Sequence, residues 1–158
     1  MLLYKYRDIR GDGFFNTQDI FINKRLFMPE LQALNDPNES IAEIQINNRL
    51  KAYGNLLEER NRKSGTKIFS LSETNRSSLM WSHYADYHRG ICFKFDLDKI
   101  STNGCFSDIQ YVRSKPHFDF TNPNDDPFKW FFYKSTIWRY EQEIRSLIIP
   151  PLKAKSER

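Results

Sequence analysis

Short segments of alternating apolar and polar residues, each cut off by turn residues, constrain this chain more than any other feature. Leu2–Tyr6, Lys67–Leu71, Ile91–Phe95, Ile109–Val112 and Glu141–Ile149 each read as a strand. A period of two places every second side chain on one face of a pleated sheet. Ile91, Phe93 and Phe95 thus share a face, and Pro150–Pro151 stops the last strand, since proline cannot donate to a ladder. Strands this short bury little unless they pair with one another. The connections between them follow no regular strand–helix–strand rhythm. The expected class is therefore α+β, with a mixed or antiparallel sheet and two main helices.

The first helix is expected from Ser40. Ser40 and Glu43 form a capping box, and Ile46, Leu50, Tyr53 and Leu57 follow as one apolar stripe up to the polar run before Gly65. Ser77–Asp86 is the second. Arg10–Asp19 reads as turn material followed by apolar residues, and Phe21–Met28 as a hairpin turning at Asn23–Lys24. Asn35–Asp36–Pro37–Asn38 is a turn by its local chemistry, although a turn just before a capped helix also suits an anion. Residues 115–128 read as a long loop and Lys129–Lys134 as a short helix, with Phe128–Tyr133 as packing and Trp130 at the edge of a pocket.

The 158 residues fit one domain, taken as 1–152, followed by a basic tail at 153–158. Thirteen Phe, eight Tyr and three Trp supply much of its core and argue against disorder. Cys92 and Cys105 lack partners at metal-ligand spacing, which fits two free thiols in a reducing cytoplasm. The opening MLLYKYRD has no leader pattern, and no apolar run approaches membrane-spanning length, so no membrane partner is expected. No metal is expected either, since His83, His88 and His117 lack supporting ligands. The net charge of +4 favours phosphates or nucleic acid, but clusters such as Arg60, Arg62, Lys63 and Lys67 also suit a solvated rim.

Several segments resemble the bacterial domain of unknown function 2971 family. They are LYKYRD at Leu3–Asp8, ALNDPNES at Ala33–Ser40, FSLSET at Phe69–Thr74, LMWSHYADYHRGICFKFD at Leu79–Asp96, and Lys134 followed by Trp138–Arg145. Leu34 and Asn38 stand where that family usually carries aromatics. The chain ends soon after its last strand, where many relatives continue, which leaves room for a truncated C-terminal segment.

A more distant resemblance links Arg7, the serines Ser70 and Ser72, and the pair Glu141 and Glu143 to ADP-ribosyltransferases of the Arg–Ser–Glu type. It implies an ADP-ribosyltransferase-like fold with NAD as substrate. Glu143 would be the catalytic glutamate, Glu141 the acceptor-side glutamate, Ser70 or Ser72 the orienting serine, and Arg7 the NAD-phosphate ligand. The chemistry is sound. Cleaving the nicotinamide–ribose bond builds positive charge on the sugar, a fixed carboxylate stabilises it, and an arginine holds pyrophosphate with parallel hydrogen bonds. Two glutamates at alternate positions of a strand would face one way. Arg145 would face the same way, and the competing reading is that it neutralises Glu143 locally.

Trp81, Tyr84 and His88 form one helical stripe, and Met80, His83 and Tyr87 the next. Met80 and Trp81 read as core. The same face also suits stacking of a base or nicotinamide by Trp81 and Tyr84, with His83 as a proton or hydrogen-bond donor. His83 and Arg89 divide evenly between packing and cleft. The competing functions are a non-catalytic nucleotide or nucleic-acid module, with Arg7, Arg89 and Arg145 on phosphate, and a partner domain within a bacterial toxin or phage-defence system.

Overall fold

The computed structural model describes residues 1–11, 13–30, 33–36, 65–100, 106–114 and 129–148. In chain order these form β1 (Leu2–Arg7), α1 (Gly13–Asn23), β2 (Lys67–Ser72), α2 (Ser78–Tyr84), β3 (Ile91–Asp96), β4 (Phe106–Asp108), β5 (Gln110–Val112), β6 (Tyr133–Ser135) and β7 (Glu143–Ile148). Short 3-10 turns occupy Leu97–Lys99, Lys129–Phe132 and Thr136–Glu141. One sheet runs β3-β1-β2-β7-β4 and is antiparallel throughout; β5 and β6 pair in parallel as a second, small sheet. The class is α+β.

Alternation divides the large sheet into two covered faces. Leu3, Phe69, Leu71 and Ile144 form a buried cluster on one, flanked by Leu26, Met28, Phe95 and Phe106. On the other, Ile68 meets Phe131, and Tyr6 meets Met80 and Ala85 of the α2 segment. Each fully buried aliphatic or aromatic side chain contributes about 1.5–3 kcal/mol gross.

Ser77 caps α2 by accepting the Met80 amide at 3.3 Å. Asp86, Tyr87 and His88 then take left-handed backbone in succession, at φ 45°, 52° and 67°. This region is unfavourable for residues with a Cβ. Compensation comes from the Arg89 and Gly90 amides, which both donate to the Ala85 carbonyl, at 3.0 and 2.7 Å. Gly90 is required there because a Cβ would lie 2.3 Å from the Arg7 carbonyl oxygen.

Three local expectations fail. Residues 13–23 form α1, and the expected hairpin over Phe21–Met28 does not form. Thr17 and Ile20 are buried at helical spacing, Thr17 donates to the Asp8 carbonyl, and left-handed Lys24 ends the helix where the turn was expected. The Ile109–Val112 strand is split. β4 pairs with β7 on the large sheet, and after buried Ile109 the chain crosses to β6. The last strand starts at Glu143, since Glu141 closes a 3-10 turn and Gln142 is left-handed at φ 44°. The helix from Ser40, the loop 115–128, the tail 153–158, Cys105, His117 and the Trp130 side chain lie outside the described residues. Among the described residues no helix is long and apolar enough to cross a membrane.

Candidate functional site

β1 registers with β3, and β2 with β7, over six residue pairs each, but β1 meets β2 at one pair, Tyr4 with Ser72. Beyond that pair the strands part. A cavity of about 350 Å³ follows the gap, lined by Tyr4–Arg7 on one side and Ser70–Ser72 on the other. That volume is at the low end for small-molecule sites. The Lys5 ammonium reaches across and donates to the Ser70 carbonyl at 2.6 Å, satisfying an acceptor on the β1-facing side of β2.

The floor of the cavity is ionic. Lys134, from β6, donates to Glu141 Oε2 at 2.5 Å and to Glu143 Oε2 at 3.1 Å. Arg145 sends Nε and a terminal nitrogen to Glu143 Oε1, at 2.8 and 2.7 Å, and a further donor to the Phe131 carbonyl. Tyr84 donates to Glu141 Oε1 at 2.6 Å and accepts from the Asn35 amide at 2.6 Å. The backbone of Glu141 is held by the Ser72 hydroxyl at 2.6 Å, and the Glu143 amide donates to the Tyr111 hydroxyl at 2.8 Å. Lys134, Glu141, Glu143 and Arg145 are all buried.

Burial and charge push these groups in different directions. Burial raises Glu141, and it stays raised although Lys134 opposes. Burial also acts to raise Glu143, but the Arg145 and Lys134 charges and a Ser70 hydrogen bond overturn this and hold it at about 2. Glu143 is thus ionised at any working pH, while Glu141 is the more basic carboxylate. Burial, then Glu141, keeps the Tyr84 phenol protonated. Burial, then Arg7, lowers Lys5 to about 7.

Arg7 lines the same cavity with donors to spare. Its Nε is buried without a hydrogen-bond partner, and the side-chain bond it makes among the described residues, to the Phe27 carbonyl, is long at 3.5 Å. Burial lowers its pKa. Four cations, Lys5, Arg7, Lys134 and Arg145, line a cavity holding two carboxylates. An anionic ligand suits that balance.

The structure therefore brings Arg7, Ser70, Ser72, Tyr84, Glu141 and Glu143 together around one cavity, with Arg145 beside them. Glu141 reaches it from a turn, so the expected strand alternation of the two glutamates is corrected. Left-handed Gln142 breaks that alternation, and Lys134 gathers both carboxylates instead. Glu143 is not the unpaired carboxylate that an open catalytic cleft would leave, because Arg145 and Lys134 neutralise it. His83 is exposed and borders a second cavity of about 440 Å³, which shares Lys5, Tyr6, Arg7 and Tyr84 with the first. Trp81 lines neither cavity. It packs edge-on against Tyr6 at 5.3 Å and donates to the Asn75 carbonyl. Arg89 is exposed and pairs with Asp86. Sequence reasoning assigned no role to Lys5 or Lys134. A lysine inside an alternating strand was the signal for the first; for Lys134, whose side chain crosses to another sheet, no local signal existed.

No curated protein and no solved structure matches the chain. Residues 80–146 match the model of a family described as Protein of unknown function (DUF2971), which supports the resemblance carried by Met80–Asp96, Lys134 and Trp138–Arg145, while the segments at Leu3–Asp8, Ala33–Ser40 and Phe69–Thr74 lie outside the matched residues.

Proposed function

We propose that the cleft between β1 and β2 binds NAD, cleaves its nicotinamide–ribose bond and passes ADP-ribose to a protein or nucleic-acid acceptor. One observation carries this reading: Arg7, Ser70, Ser72, Glu141 and Glu143, from three neighbouring strands and the turn before β7, line a single cavity. In this scheme the Arg7 guanidinium, which has no carboxylate partner among the described residues, takes a phosphate group. Glu143 keeps its negative charge and opposes the positive charge that grows on the ribose as the C–N bond breaks and nicotinamide leaves with the electron pair. Glu141, whose affinity for a proton is raised, takes the acceptor's proton. Ser70 bonds to Glu143, and Ser72 holds the Glu141 backbone. The setting, a cytoplasmic bacterial toxin or phage-defence system with a protein partner, is inferred from resemblance alone.

A second reading has its own observation. Glu143 is met by both Arg145 and Lys134, which leaves little uncompensated charge for a transition state. The cleft would then hold a nucleotide or nucleic-acid phosphate without turnover.

Nicotinamide release beside calorimetric NAD binding separates the two. Under the enzyme reading, Glu143→Gln lowers turnover on the order of a hundredfold or more, with NAD binding little changed. A folded wild-type protein that binds NAD without releasing nicotinamide supports the second reading. One that does neither overturns the NAD assignment.

A further inference from the structure

Lys5 is a half-buried amine that neither reading uses. It lines both cavities and makes no ion pair among the described residues; its contacts there are the Ser70 carbonyl at 2.6 Å and the Phe69 ring, 5.2 Å from its Nζ. Lys134 and Arg145, by contrast, each contact a carboxylate. Arg7 stands two residues along β1, so both side chains leave the strand on the same side, with Cα atoms roughly 7 Å apart. An amine with no carboxylate in contact among the described residues, beside a guanidinium with unused donors, matches a ligand that carries an electrophilic carbon a few ångströms from an anionic group.

We propose that Lys5 is a covalent binding site for phosphorylated aldehydes, which it holds as an imine while Arg7 takes the phosphate. The amine attacks the carbonyl carbon and a C=N bond forms. The carbonyl oxygen leaves as water with both amine hydrogens, so no oxidant or reductant is needed. Desolvation and a neighbouring cation are the two conditions that make a lysine nucleophilic at neutral pH, and Lys5 meets both. Lys134 is the more deeply buried lysine, but two carboxylates engage it. This assignment is independent of NAD chemistry.

The test is pyridoxal 5′-phosphate at limiting concentration, followed by borohydride reduction and peptide mapping of the intact chain. Lys5 is expected to carry on the order of tenfold or more label than exposed Lys94 and Lys99, because desolvation and the Arg7 charge favour its neutral form and Arg7 holds the phosphate beside it. Pyridoxal without the phosphate should label it far less, and Arg7→Ala should remove that difference. Lys5→Arg, which keeps the charge, should abolish the adduct. Label confined to Lys94 and Lys99 would overturn the proposal. Equal labelling of Lys5 by both aldehydes would overturn the phosphate assignment. The comparison among lysines is made within wild-type protein, so it stands even if a variant fails to fold.

Discussion

Lys134→Met tests whether one ammonium holds the buried carboxylates together. The lysine side chain is 3% exposed and those of both glutamates 4%. Methionine keeps most of the stem and removes the charge. Glu143 retains Arg145, but Glu141 is left with the Tyr84 hydroxyl alone among the contacts described for its carboxylate. Removing one partner of a buried ion pair costs about 3–5 kcal/mol, a fall in Tm on the order of 10 °C for a chain of this size. The pH dependence follows from Glu141. Its folded pKa is already raised, and loss of Lys134 raises it further. Unfolded Glu gives up its proton near pH 4.3, and between that value and the folded pKa the native state binds more protons than the unfolded state. Stability therefore falls as pH rises through this window, and the variant should lose more, over a wider window, than wild type. Urea denaturation at pH 5 and pH 7.5, followed by tryptophan fluorescence, measures both. Glu141→Gln added to Lys134→Met should restore about 2 kcal/mol or more, since the orphaned charge is gone while the bond from Tyr84 persists. A loss below about 1 kcal/mol that is the same at both pH values would refute the ionic account.

Gly90→Ala should destabilise by about 1–3 kcal/mol, because its Cβ would meet backbone rather than a flexible side chain; thermal unfolding that matches wild type would mean the Arg7–Gly90 approach is looser than described. Trp81→Ala should cost about 2–4 kcal/mol through its Tyr6 contact, and His83→Ala, at an exposed position, less than about 0.5 kcal/mol; equal losses in chemical denaturation would return His83 to the core. Lys5 has a folded pKa near 7, below its unfolded value. The unfolded state therefore binds more protons between the two, and wild-type stability should gain from Lys5 as pH rises from 7 towards 10. Lys5→Met should lack that gain when urea midpoints are compared at pH 7 and pH 9.5.

The sequence by itself determined β1, β2 and β3 and the division of their faces. Leu3, Lys5 and Arg7 alternate with Tyr4 and Tyr6 whatever surrounds them, because strand alternation is a property of the local backbone. The α2 helix was legible from its local pattern, whereas the candidate set Arg7, Ser70, Ser72, Glu141 and Glu143 rested on resemblance, and Glu141 lies in a turn rather than on the strand. The residues between Asp8 and Met28 were misread because α1 buries a narrow stripe, Thr17 and Ile20, and leaves Phe14, Phe15, Phe21 and Ile22 exposed. Its helical period is blurred by apolar residues all round. Only the tertiary structure decided what the candidate site contains. Lys134 crosses from a second sheet to join two carboxylates, β1 and β2 separate after Tyr4 and Ser72, and left-handed Gln142 turns Glu141 onto the same cation. Each of these depends on which segments, distant in sequence, lie side by side. The protonation of a buried carboxylate or amine follows from the charges that such packing brings within a few ångströms, and no periodicity along the chain encodes that distance.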